Sequence, residues 1–234
     1  MNQLNLSEET VGEIVVNDFR TSAIFKEAGI DFCCGGQQTL QEACKENGIS
    51  VDELQGKIND LTDEDLSPSL NYKEWELPFL IDFIVNTHHR YVVKTLPDLV
   101  FYTKKIALVH GEHHPELTDI AHEIVEINTE LTSHLKKEEE VLFPAIKDII
   151  QNNSKKSKDI IQSEISRMLG EHDFAGRTMD EINRITDGYK VPADGCNTYR
   201  VTFNLLRQFE DDLHIHVHLE NNIVFPRAIK LAEL

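Results

Sequence analysis

Two stretches of this chain, HLKKEEEVLFP at 134–144 and HVHLENNIVFP at 216–226, repeat one pattern. Each has a histidine, a glutamate four residues on, two polar residues, two aliphatics and then Phe-Pro. The offset of 82 residues persists upstream, setting Glu130 over Asp212, Leu131 over Leu213 and Ile124 over Leu206. A second pair of segments repeats at an offset of 84, with His88 over His172, Ile81 over Ile165 and Leu77 over Ile161. A chain made of two such halves is expected to fold as two related helical hairpins.

The repeat also settles a local ambiguity. In HIHVH, 214–218, three histidines alternate with apolar residues, which is the period of a strand. Only His216 has a counterpart in the other half, and its partner four residues on is a Glu in both copies. Residues four apart share a helix face, whereas His214 and His218 point elsewhere, so the helical reading holds. Apolar residues recur at three- and four-residue steps in four long runs, from Leu77 to Leu99, Ile120 to Ile149, Ile161 to Ile182 and Leu206 to Leu231. Turn-forming segments (HGEHHP, QNNSKK and DGYKVPADG) separate them. The expectation is an all-α protein whose residues 74–234 form an up-down four-helix bundle. Pro97, Pro144 and Pro226 predict kinks or local helix ends.

Before the bundle, 1–60 read as a small helical domain. Thr39 with Glu42 and Ser50 with Glu53 have capping-box spacing, and Gly29 and Gly48 stand where helices would stop. The acidic, Pro-containing stretch 61–73 reads as a linker, so the bundle is expected to fold without the first domain.

The bundle's apolar faces carry residues that do not belong in a core: His88, His134, Glu138, His172, His216 and Glu220. Burying a carboxylate costs several kcal/mol unless it is paired or bound to a cation. Four imidazoles and two carboxylates from four helices suit two metal ions, with Glu138 and Glu220 bridging and a solvent-derived oxygen adding a further ligand. Nitrogen and oxygen donors without thiolate suit iron, with manganese or zinc as alternatives. Glu130, Glu171 and Asp212 are placed to orient the imidazoles. His89 points about 100° from His88 on an ideal helix and is left outside the set. His110, His113 and His114 read as a surface loop, and His122 and His214 match a ferritin-type Glu-x-x-His only poorly.

The balance of 23 Lys and Arg against 41 Asp and Glu, a formal charge of −18, argues against nucleic acid and anionic membranes as partners. The first residues lack a signal-peptide pattern and no apolar run reaches spanning length, so the cytoplasm is the default expectation. Its four cysteines make no secreted framework. Two are adjacent, in DFCCGG at 31–36, where Cys33 and Cys34 suggest an exposed redox or metal-handling turn; Cys44 and Cys196 carry no signal.

The bundle resembles a hemerythrin-like domain, and DFCCGGQQTL resembles the short N-terminal domain of the iron–sulfur cluster repair di-iron proteins. Together the two likenesses cover nearly the whole chain. The resemblance implies two non-haem iron ions with carboxylate and oxo bridges, held by the residues that match by motif: His88, His134, Glu138, His172, His216 and Glu220. It also implies a homodimer that repairs iron–sulfur proteins damaged by oxidative or nitrosative stress, with NO or O2 as small-molecule partners. An O2- or NO-binding sensor or carrier, and a di-iron NO or peroxide reductase, stay open as alternatives. A sensor does not require vicinal cysteines, and that feature favours repair.

Overall fold

The computed structural model describes residues 5–61 and 71–233, so most of the expected 61–73 linker lies outside the described residues. Among them every regular element is helical, apart from one isolated bridge between Thr10 and Thr39. No described helix is long and apolar enough to cross a membrane. Two compact units result: 1–80 together with 217–230, and 81–216 together with 231–234.

The first unit opens with α1 (Val11–Asn17), α2 (Thr21–Glu27), α3 (Leu40–Asn47) and α4 (Val51–Asn59). Thr39 and Glu42 form the expected capping box, and Thr10 with Glu13 form another that was not anticipated. Ser50 caps α4 by accepting the Glu53 amide at 3.4 Å. Gly29 and Gly48 end their helices at φ of 68° and 66°, as the sequence predicted. Val11, Ile14, Phe25, Leu40, Cys44 and Leu54 fill the interior.

The segment 217–230 belongs to this core. The buried His218 ring lies 6.0 Å from Phe19 and 5.6 Å from Phe32, centroid to centroid. Arg227 donates to the Trp75 carbonyl at 2.8 Å. Gly12 and Gly36 approach Asn222 so closely that a Cβ at Gly36 would sit 2.8 Å from the Phe32 carbonyl oxygen and 3.0 Å from Asn222 Oδ1. A backbone oxygen cannot swing aside, so Gly36→Ala is expected to destabilise the protein by about 1–3 kcal/mol. The control is Gly56→Ala within α4, where the added Cβ meets nothing within 4 Å. That change should be neutral or stabilising by up to about 1 kcal/mol. Urea midpoints of the two variants check this, and equal midpoints would remove the close-approach argument.

The second unit holds most of the bundle, 81–216 with 231–234. The helix α5 (Leu77–Ile84) leads through a π-helical turn, Val85–His89, into α6 (Arg90–His110). Next, α7 (Glu116–Lys137) passes through a second π turn, Glu138–Leu142, into α8 (Phe143–Asn152). The uninterrupted α9 (Lys155–Ile185) follows, and α10 (Asn197–Leu219) then continues through a third π turn, Glu220–Val224, into α11 (Phe225–Glu233). Side-chain pairings fix the directions. His89 meets Glu139, His134 meets Glu171, Asn183 meets Glu210, and at opposite ends of α6 His88 meets Asp212 while His110 meets Cys196. Neighbouring helices therefore run antiparallel, in the expected up-down order.

Candidate metal centre

The site is shaped by the π turns. In two of them the closing bond runs back five residues, from the Phe143 amide to the Glu138 carbonyl and from the Phe225 amide to the Glu220 carbonyl. Each is followed at once by proline, Pro144 or Pro226. Proline has no amide hydrogen and its ring clashes with the carbonyl four residues back, so the preceding turn widens. The repeated Phe-Pro thus accounts for two π turns that lie 82 residues apart, each beginning at the repeated glutamate.

The first π turn, Val85–His89, changes a register. Before it, Leu77, Ile81 and Ile84 match the buried Ile161, Ile165 and Met168 at an offset of 84. After it, Val92, Leu96 and Leu99 match the buried Ala175, Met179 and Ile182 at 83. The π turn adds one residue relative to α9, and at an offset of 83 the counterpart of His172 is His89. Both His88 and His89 are buried, but they do different things.

The ligand-type atoms of His134, Glu138 and His172 lie within 4.8 Å of one another, and so do those of His89, Glu138 and His216. None of these five residues is more than 1% exposed. Glu138 Oε2 is 3.3 Å from His134 Nε2 and 3.5 Å from His89 Nε2. The Nε2 atoms of His134 and His172 face each other at 2.9 Å. Glu220 lies one turn beyond His216 along the same helix, is fully buried and opens the third π turn as Glu138 opens the second. His88 joins neither group; its Nδ1 contacts Asp212 Oδ1 at 2.9 Å and its ring stacks on His216 at 5.6 Å.

Outward-facing carboxylates set the tautomers. Glu171 Oε2 lies 2.8 Å from His134 Nδ1, and its Oε1 accepts from Lys137 at 2.6 Å. The His134 bond, aided by Lys137, holds the Glu171 carboxyl down at about 2, so it is ionised. Glu139 Oε1 lies 2.8 Å from His89 Nδ1 in the same way. An imidazole that donates Nδ1–H to a carboxylate presents a bare lone pair at Nε2. Lone pairs of His134 and His89 then face Glu138, whose two buried oxygens accept no hydrogen bond. Protonating both His134 and His172 at Nε2 would drive two N–H groups together at 2.9 Å. A cage of acceptors around a shared carboxylate fits a cation, and the residues present fit the metal that the sequence implied.

Of the three expected orienting carboxylates, Glu171 contacts a member of the cage, Asp212 contacts His88, and Glu130 is exposed on α7 with no imidazole bonded to it. Glu139 was missed because it reads as one more charge in KKEEE.

The DFCCGG turn is not the exposed loop expected. Asp31 folds it, accepting the Cys33, Cys34 and Gly35 amides at 2.8, 3.0 and 2.7 Å. Cys33 is buried and Cys34 half-buried; both are reduced, with sulfurs 3.9 Å apart. The Cys34 contact, with burial and the Asp31 charge behind it, pushes the Cys33 thiol up. Asn222 Nδ2 donates to the Phe32 carbonyl at 3.2 Å, and Asn221 and Asn222 both reach the Cys33 carbonyl at 3.4 Å. In the repeat these asparagines replace Glu139 and Glu140, so the second copy has exchanged an imidazole anchor for a contact with the cysteine turn.

Comparison with known proteins agrees with this organisation. Residues 80–228 match the hemerythrin HHE cation binding domain, and 7–62 match ScdA_N, described as a domain of unknown function. The iron–sulfur cluster repair protein YtfE of Pectobacterium atrosepticum is 33% identical over 223 residues, spanning 95% of this chain and 97% of that protein. The YtfE of Yersinia pestis is 34% identical over 227 residues, spanning 97% of this chain and 99% of its own. A repeated His-x-x-x-Glu bundle preceded by a DFCCGG domain, with relatives alike from end to end, places the chain in the family of hemerythrin-type iron–sulfur cluster repair proteins.

Proposed function

We propose that the cage binds two iron ions and that the protein supplies iron to iron–sulfur clusters damaged by oxidative or nitrosative stress. One observation carries the reading: Glu138 belongs to two groups of buried nitrogen and oxygen donors, so a single carboxylate serves two neighbouring positions. The proposed ligands are His89 and His216 for one ion, His134 and His172 for the other, with Glu138 and its repeat counterpart Glu220 common to both. Nitrogen and oxygen donors without thiolate suit iron. Glu139 and Glu171 hold His89 and His134 with Nε2 turned inward. Bound iron neutralises the cage and is at the same time the cargo that a damaged cluster lacks. Damaged iron–sulfur proteins of the cytoplasm are the expected clients, in keeping with the name of the relatives.

Protein reconstituted with ferrous iron without air should hold about two irons per chain and restore activity to an iron–sulfur enzyme inactivated by peroxide or NO. One tightly held zinc, or no metal after reconstitution, would sink the proposal.

The cysteine turn has a separate task in this reading. Its carbonyls are held by Asn221 and Asn222, which directly follow Glu220, so movement of the turn acts on the segment that carries a proposed ligand. Replacing Cys33 and Cys34 together by Ser should leave iron content and visible absorption nearly unchanged yet slow enzyme recovery. Rates are compared at equal bound iron, so that a loading defect cannot imitate a transfer defect. Full repair by the double variant would reduce DFCCGG to a structural turn, and loss of iron would place the thiols at the metal.

A further inference from the structure

Cys196 immediately precedes α10 and is exposed, yet it is not an isolated thiol. His110, from the last turn of α6, brings its Nε2 to 3.2 Å from the sulfur. The thiol is pulled down to about 7, first by His110 and then by the Tyr199 and Thr198 amides at the start of α10. Imidazole and helix amides together are the setting in which a surface cysteine becomes a nucleophile. Asp194 comes from the preceding loop, and His114 and Glu116 from the turn into α7, with Asp194 Oδ1 3.1 Å from His114 Nε2 and Glu116 Oε1 3.2 Å from its Nδ1.

A groove that could seat a reaction partner shares Tyr199 with this pair. The rings of His110 and His114 pack on buried Tyr199 at 5.4 and 5.8 Å. Tyr199 and His114 also line a groove of about 330 Å³, with Glu116, Asp187, Lys190 and Phe203. Charges of both signs around an apolar floor suit a zwitterionic, amino-acid-derived molecule better than a simple anion.

We propose that Cys196 is a second thiol site of this protein, activated by His110, which exchanges with amino-acid-derived low-molecular-weight disulfides to form a mixed disulfide. In the exchange Cys196 passes its proton to His110, and Sγ attacks one sulfur of the incoming disulfide. The new S–S bond forms as the old one breaks, and the departing thiolate takes the proton back from the imidazolium. Cys196 is oxidised and one half of the small disulfide is reduced, so no further oxidant is required. Twenty residues of α10 separate Cys196 from His216, about 30 Å at 1.5 Å per residue, so the reaction can be read apart from iron.

The test treats the full-length protein with glutathione disulfide at pH 7 and follows each cysteine by mass spectrometry of its peptides. Cys196 should form the adduct at least about tenfold faster than Cys33, Cys34 or Cys44, two of which are buried. His110→Gln and His110→Ala should slow it severalfold at pH 7 and converge with the parent well above about pH 9, where the Cys196 thiol is ionised in all three proteins. Alkylation by iodoacetamide over the same pH range should show its midpoint rise in both variants. Circular dichroism confirms that each variant is folded. Equal rates at all four cysteines, faster labelling of Cys34, or His110 variants that match the parent at pH 7 would each overturn the proposal.

Discussion

His89→Ala is expected to lose iron that His88→Ala keeps. The two residues are neighbours and both are buried, so composition and exposure do not distinguish them. Geometry does. His89 shares Glu138 with His216 and has its Nδ1 fixed by Glu139, whereas His88 turns its Nδ1 to Asp212 and stands outside both donor groups. Removing His89 takes one nitrogen from one of the two proposed iron positions, and the expected result is a drop from about two irons per chain to about one or fewer. His88→Ala removes a ring stacked on His216 and should cost some stability with the iron count kept. Glu139→Ala belongs to the same series. It leaves all ligands in place but frees the His89 ring, and loss of such a partner weakens metal binding about 10- to 100-fold. Glu140→Ala, one residue on and exposed, is the control. Metal analysis after gel filtration at limiting iron reads all four. Iron lost from His88→Ala and kept by His89→Ala would mean that the π turn does not set the register.

The reason His88 was favoured by the sequence shows what periodicity can and cannot deliver. Leu77, Ile81 and Ile84 lead at helical steps to His88, and an offset of 84 lays that run over Ile161, Ile165, Met168 and His172. A π turn inserts one residue without a signature of its own, since no proline follows Val85–His89 as Pro144 and Pro226 follow the other two. The clue lay downstream: Val92, Leu96 and Leu99 match α9 at 83, and a change of offset between flanking apolar runs marks an inserted residue. In the second helix of each hairpin both copies carry the π turn, so the offset of 82 never changes and keeps His134 over His216 and Glu138 over Glu220.

Contacts between distant segments were less legible. The capping box at Thr39 is local chemistry and could be read, but the role of Asn221 and Asn222 depends on carbonyls nearly 190 residues away. Even so, their departure from Glu139 and Glu140 within an otherwise faithful repeat was visible. It is the kind of local inconsistency that marks a second task. The same contacts alter the expectation that 74–234 would stand alone. Because 217–230 form part of the first unit's core, deleting 1–60 would bare the His218 ring and the Asn221 and Asn222 amides. Cys196 gave no signal because its partner, His110, is 86 residues away and meets it only through the antiparallel packing of α6 and α10.

Glu138→Gln is expected to move stability in opposite directions with and without iron. In the apo-protein Glu138 is fully buried, and its oxygens accept no hydrogen bond while imidazole lone pairs stand 3.3 and 3.5 Å away. Leaving a buried polar group unsatisfied costs about 1–3 kcal/mol, and more for a charge. Glutamine keeps the shape, removes the charge and offers an N–H to one of those lone pairs, so the apo-variant should melt several degrees higher at roughly 2–4 °C per kcal/mol. With iron the sign reverses. A ligand that binds only the folded state, present at about a thousand times its dissociation constant, stabilises it by about 4 kcal/mol per site. Glu138 is shared by both groups, so its loss weakens both sites together. Added ferrous iron should then raise the melting temperature of the parent by many degrees and that of Glu138→Gln hardly at all. Two melting curves for each protein, with a chelator and with iron, decide the matter. If the apo-protein instead pairs the carboxylate with a protonated imidazole, Glu138→Gln will melt lower than its parent in chelator. A cage already neutralised by its own protons would then replace one held ready for metal.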